Sequence, residues 1–166
     1  MKSLIVYYSY TGNTEKIAEK LRGILSKKGQ TEIHQLKPID ESDNFFAQAA
    51  SAFTGKRAQL SNVKFDLSGY DLICLGTPVW AFAPTPAINT YLDKVQNLDG
   101  KDAICFVTYA SGAGVKRCIN TMIEKLKQKG AFKISGFSIQ QTKVNDTDFV
   151  ETAIEEALGE VNLTPS

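Results

Sequence analysis

The sequence predicts an α/β protein: a three-layer α-β-α sandwich built on a five-stranded parallel sheet of order 2-1-3-4-5. Three observations lead there. Short apolar runs alternate strictly with longer stretches of helical periodicity, the pattern that right-handed βαβ crossovers leave in a chain. The clearest of these runs are near-continuous, as strands covered on both faces must be. Five such strands in 166 residues match the smaller doubly wound sheets, whose order reverses beside strand one.

Each element has its own signal. "KSLIVYY" is the first strand, rich in β-branched and aromatic residues. Residues 14–28 follow as a helix, with Ile17, Ala18, Leu21, Ile24 and Leu25 on one stripe and Lys27, Lys28 and Gly29 as stop signals. "TEIHQL" is a weaker second strand. Residues 43–60, "DNFFAQAASAFTGKRAQL", are expected to form a helix and a loop before the third strand, "YDLICLG". Pro84 and Pro86 open a helix marked by Ile88, Tyr91, Leu92 and Val95. "DAICFVTY" is the fourth strand. The next helix carries Val115, Ile119, Met122, Ile123 and Leu126 and ends at Lys129-Gly130. "FKISGFSI" is the fifth strand. Asp146, Thr147 and Asp148 start the last helix, with Val150, Ala153, Ile154, Ala157 and Leu158 inward. No repeat, low-complexity segment or linker interrupts this series, so residues 1–166 are read as a single domain.

Composition narrows the class. Hydrophobic residues make up 43% and charged residues 22%, ordinary for a globular chain. With 19 Lys and Arg against 18 Asp and Glu, the balance supports neither nucleic acid nor an acidic membrane surface as partner. "MKSLIVYYSY" lacks the long apolar region and cleavage site of a secretory signal, and no run nears the about 18 apolar residues of a membrane span. A soluble, cytoplasmic protein, monomer or homodimer, is expected.

Cys74 and Cys105 lie inside strands and Cys118 inside a helical pattern, without a C-x-x-C or a nearby histidine, so all three read as buried hydrophobes. His34, the sole histidine, reads as a partly exposed strand residue. No metal site is indicated, and no side chain stands out as a general acid or base.

In such sheets ligands bind outside the carboxyl ends of the strands, near the point of strand-order reversal. Three loops converge there. Ser9-Tyr10-Thr11-Gly12-Asn13-Thr14 places three small hydroxyls, an amide and a glycine before a helix, where free N–H groups and the helix dipole favour an anion. No cation lies between Ser9 and Glu15, so the cradle suits one phosphate held by neutral donors rather than a triphosphate with magnesium. The same residues also make an ordinary N-cap, and the loop alone does not separate the two readings. The second loop, "GTPVWAFAPTP", sets Trp80, the only tryptophan, beside Phe82 between stiffening prolines. Large apolar side chains on a binding-edge loop suit stacking on a flat ligand. The third, "YASGAG", lets a ligand approach the main chain closely.

These segments resemble a known family. "YYSYTGNTEKIA" is similar to the phosphate-loop signature of flavodoxins, T/S-x-T-G-x-T, and "YDLICLGTPVWAFAPTPAINTYL" to the flavin loop that follows it. The resemblance implies bound FMN, with its phosphate on Ser9, Tyr10 (through the backbone N–H), Thr11, Gly12, Asn13 and Thr14. The isoalloxazine ring would lie against Thr77, Pro78, Val79, Trp80, Ala81 and Phe82, with Tyr109, Ser111 and Gly112 as a second ring loop. That second loop departs from the family: it lacks the usual acidic residues, and Lys116 and Arg117 follow it. Negative charge near a flavin disfavours its anionic reduced form, so a less negative potential is expected here.

The resemblance implies an electron-transfer flavoprotein that serves a redox partner protein. The alternative is an NAD(P)H-dependent FMN reductase of quinones or similar small acceptors, and a third reading is a non-redox binding module with a vestigial flavin pocket. Other classes lack their residues. Tyr7-Tyr8-Ser9 stands where a receiver domain needs acids, no G-x-S-x-G exists, and "SGAGVKR" is no dinucleotide fingerprint.

Overall fold

A computed structural model of the chain describes residues 1–39 and 58–161. The helix expected over 43–60 therefore lies outside the described residues, apart from 58–60. Five parallel strands, β1 (Lys2–Tyr7), β2 (Gln30–Gln35), β3 (Leu72–Pro78), β4 (Asp102–Tyr109) and β5 (Ile134–Gln140), form one sheet in the order β2-β1-β3-β4-β5. Four helices are described: α1 (Asn13–Ser26), α2 (Pro86–Lys94), α3 (Val115–Gln128) and α4 (Thr147–Glu160).

The period of two along each strand sends alternate residues to opposite cores. On one side Leu4, Val6, Ile73, Leu75, Cys105 and Val107 meet α2 and α3 through Ile88, Tyr91, Leu92, Cys118, Met122 and Leu126. On the other, Ile5, Tyr7, Cys74, Ile104 and Phe106 meet α1 and α4 through Ile17, Leu21, Leu25, Val150, Ile154 and Leu158. Each fully buried aliphatic side chain contributes roughly 1.5–3 kcal/mol of transfer free energy, so the central strands anchor the fold from both faces. All three cysteines are buried and unpaired, with their thiol pKa values pushed up by burial. His34 is half-buried on the edge strand β2.

Two elements differ from expectation. On α3 the inward line is Cys118, Met122 and Leu126, while Val115, Ile119 and Ile123 flank it half-buried. The fifth strand begins at Ile134, and Phe132 is 70% exposed. Its N–H is taken by the Lys101 carbonyl at 2.7 Å, which turns the chain before the ladder starts.

Two kinds of helix start bear on the site. Asp146 caps α4 by accepting from the Phe149 N–H at 3.3 Å, and Lys143 at 3.0 Å helps hold its carboxyl below the usual range. The helices α1 and α3 instead start from Gly12 (φ +84°) and Gly114 (φ +79°), which carry no capping side chain. Both of these glycines face the carboxyl edge of the sheet.

Candidate functional site at the carboxyl edge of the sheet

Register brings the three predicted loops together. Tyr7 pairs with Gly76 and Pro78 with Thr108, so β1, β3 and β4 end side by side. The N–H of Tyr8 continues the β1–β3 ladder to the Gly76 carbonyl (3.0 Å), and that of Val79 reaches the Thr108 carbonyl (2.9 Å). Buried hydroxyls then tie the loops to the frame. Thr14, in the first turn of α1, meets Thr108 at the end of β4 with 2.7 Å between the two side-chain oxygens.

The first loop keeps its donors turned towards the edge. Ser9 Oγ accepts from the Glu15 N–H at 3.3 Å, which curls the loop over the helix end. The N–H groups of Asn13 and Thr14 donate to nothing among the described residues, and the space where a Cβ of Gly12 would sit is open. Thr11 is exposed. This donor set is neutral, partly unclaimed and preceded by a left-handed glycine, features that suit an anion. The acid closest in the chain, Glu15, is engaged by the Tyr7 hydroxyl at 3.4 Å. Burial, with Glu15 adding to it, pushes the Tyr7 phenol up to about 12, so it stays protonated and neutral.

The second loop is a tight turn. Trp80 and Ala83 exchange backbone hydrogen bonds of 3.0 and 2.9 Å, and the two residues between them, Ala81 (φ +45°) and Phe82 (φ +67°), both lie in the left-handed region. That is type I′ geometry, which normally uses Asn-Gly. Non-glycine residues held there cost of order 1–3 kcal/mol each and persist only where surroundings over-determine them. The surroundings are on hand. Gly114 leaves room for Phe82, and a Cβ at Gly114 would collide with the Phe82 backbone and ring. Thr77 Oγ1 accepts from the Thr85 N–H (3.2 Å) and lies 3.1 Å from its hydroxyl, closing the loop at its base.

The two aromatic residues of this loop part company. Phe82 is 44% exposed, whereas Trp80 is only 6% exposed and belongs to the core on the α2/α3 side. Tyr8 and Tyr10 meet the Trp80 indole edge-on, with centroids 5.5 and 5.7 Å away. The loop therefore presents the Phe82 ring, and not the Trp80 ring, at the surface. Edge-to-face contact with two tyrosines packs the indole and pins the first loop to the second.

Of the predicted residues, Ser9, Tyr10, Thr11, Gly12, Asn13, Ala81, Phe82, Ser111 and Gly112 are at least partly accessible along this edge, as are Pro78, Val79 and Tyr109. The hydroxyls of Thr14 and Thr77 are occupied internally, so these two present backbone rather than side chain. Sequence reasoning missed Tyr8, Thr85, Thr108 and Gly114, which shape the loops from behind. The glycine before the α3 periodicity was the one legible signal among them.

A five-stranded parallel sheet in this order, with unclaimed backbone donors at the switch point and an aromatic loop beside them, defines the class as a doubly wound α/β protein with a candidate ligand site at its carboxyl edge. The flavodoxin family profile matches residues 2–153, and the chain belongs to the flavodoxin family, whose cofactor is FMN. No curated protein matches the chain. Among solved structures it is similar to an FMN-bound flavoprotein from Lactobacillus acidophilus NCFM, 25% identical over 89% of this chain and 98% of that one (TM-score 0.63). Flavodoxin 1 from Bacillus cereus is 21% identical over 99% of this chain and all of its own (TM-score 0.65). An NADH:FMN oxidoreductase shares the fold at 19% identity, covering 100% of this chain and 92% of that one (TM-score 0.66).

Proposed function

We propose that the chain is an FMN-dependent electron carrier. The observation that carries the reading is the join at the switch point: unclaimed neutral donors at the start of α1, tied through Thr14–Thr108 and Tyr10–Trp80 to the strained Ala81-Phe82 turn. Ser9, Tyr10, Thr11, Gly12, Asn13 and Thr14 would hold the phosphate of FMN through hydroxyl, amide and backbone N–H groups. Thr77, Pro78, Val79, Trp80, Ala81 and Phe82 would border the isoalloxazine ring, Thr77 and Trp80 through their backbone, together with Tyr109, Ser111 and Gly112. The flavin supplies the redox chemistry, and the chain supplies binding, orientation and local electrostatics. Both ring loops are uncharged from Pro78 to Pro84 and from Ala110 to Gly114, so neither opposes added electrons by like-charge repulsion. The chain resides in the cytoplasm and hands electrons to a partner protein.

The visible spectrum of the purified protein tests this. Flavin absorption that survives gel filtration supports it, and a colourless protein that takes up no added FMN overturns it. A second reading, a reductase using NAD(P)H and a quinone-like acceptor, draws on the exposure of Phe82 (44%) and Tyr10 (40%) beside the ring, which leaves space for a flat substrate. Bleaching of the flavin by NADPH alone selects that reading over the carrier.

A further inference from the structure

We propose that Phe82 and the exposed side of α3 form the docking face for an acidic electron-transfer protein. The inference rests on the carrier reading above. Charge is unevenly spread on this chain. Residues 115–129 hold five cations, Lys116, Arg117, Lys125, Lys127 and Lys129, against one acid, Glu124, in a chain whose net charge is +1. The segment therefore stands at +4 and the remainder at −3.

Three of the five are engaged. Lys125 pairs with Asp93 at 2.8 Å, Lys127 with Glu124 at 3.1 Å, and Lys129 donates to the carbonyls of Asp93 and Val95, each at 3.0 Å. Lys116 and Arg117 have no ion-pair or side-chain hydrogen-bond partner among the described residues, and both are exposed. They lie in the first turn of α3, where a positive side chain opposes the helix dipole and disfavours the helix. Helix stability thus gives no reason for them, whereas carboxylates of a partner would.

Their position fits transfer. They follow the ring loop Ala110–Gly114 directly, and Phe82, in the turn of residues 80–83, rests on Gly114 at the end of that loop. An open groove of about 830 Å³ runs from Gly112 and Gly114 past Lys116, Arg117 and Asn120 to Lys125. An exposed phenyl ring within a polar and basic rim has the anatomy of a transient interface. The groove lies open along the helix rather than closing round a small anion, which favours a protein surface. Its sign is opposite to that of an acidic carrier, so the complementary partner is acidic.

The test uses the FMN-loaded protein and a reduced [2Fe–2S] ferredoxin of strongly negative net charge. The ferredoxin iron gives up one electron and the flavin takes it, followed by stopped-flow absorbance. The rate should fall about tenfold between roughly 10 mM and 300 mM salt. Lys116→Glu with Arg117→Glu should lower the low-salt rate about tenfold and abolish its salt dependence. Lys27→Glu with Lys28→Glu changes net charge equally at the far end of α1 and should leave the rate within about twofold. Titration with redox-inert gallium-substituted ferredoxin should shift backbone amide resonances of residues 110–121 and Phe82. Photoreduction by neutral 5-deazariboflavin should proceed equally in all variants.

A rate indifferent to salt, equal loss in both double variants, or displacement of the ferredoxin by 2′,5′-ADP overturns the docking face while photoreduction still succeeds. Failure to bind FMN or to be photoreduced overturns the carrier reading, and the docking face with it.

Discussion

Phe82 sits on Gly114, and the contact joins the turn after β3 to the left-handed residue that starts α3. It is a mutual dependence. Phe82 holds φ +67° because Gly114 leaves space for it, and Gly114 must be glycine both for its own φ of +79° and for Phe82. Gly114→Ala should therefore lose about 2 kcal/mol or more in urea unfolding, above the ordinary cost of a left-handed alanine. FMN affinity should drop in parallel.

Ala81 offers the opposite experiment. Its φ of +45° strains an alanine and suits a glycine. Ala81→Gly relieves about 1–2 kcal/mol of left-handed strain and adds roughly 0.5–1 kcal/mol of unfolded-chain entropy. A net gain of about 0.5 kcal/mol, read as a small rise in Tm, is expected. A clear fall in Tm would show that the turn is not type I′.

Thr108→Val removes one of two buried oxygens and strands the Thr14 hydroxyl. An unsatisfied buried hydroxyl costs about 1–3 kcal/mol, so chemical denaturation should show that loss. Thr14→Val with Thr108→Val should lose less than the sum of the two singles, because no orphan remains. FMN dissociation should quicken in the Thr108 variant, since α1 loses its tie to β4.

The redox prediction follows from the uncharged ring loops. Potentiometric titration should give a potential for full reduction of the flavin that is less negative than in acidic members of the family. Ser111→Asp places a carboxylate in the second ring loop and should lower it by on the order of 50 mV, about 1 kcal/mol for a one-electron couple. No change would mean the loop does not border the ring.

Glu32 supplies a pH signature away from the site. The Tyr70 hydroxyl at 2.6 Å, then Lys2 at 3.0 Å and Lys64 at 3.3 Å, lower its pKa from 4.5 to about 2. A depressed carboxylate contributes stability that is complete above about 4.5 and lost as pH falls towards 2. The denaturation midpoint should decline over that window, and Glu32→Gln should flatten part of the decline.

Much of the fold was legible because β and α periodicities are local. "KSLIVYY" and "DAICFVTY" read as strands covered on both faces, their alternation with helices marked a parallel sheet, and the order came from the match of five strands in 166 residues to the smaller doubly wound sheets. The phosphate loop was legible for the same reason, as hydroxyls and a glycine between a strand and a helix. The Ala81-Phe82 turn was not, because it carries no Asn-Gly signal. Its backbone is set by Gly114, more than thirty residues on.

What the sequence determined by itself was the strands, the helices and the parallel sheet they build, since these depend on patterns within each segment; the order and the binding edge came from the rules of doubly wound sheets. Tertiary structure alone decided which side chains face that edge. Trp80 and Phe82 are two residues apart and chemically alike, yet one is buried against Tyr8 and Tyr10 and the other is exposed on Gly114. The difference lies in neighbours brought by β1 and α3, and no local pattern records those.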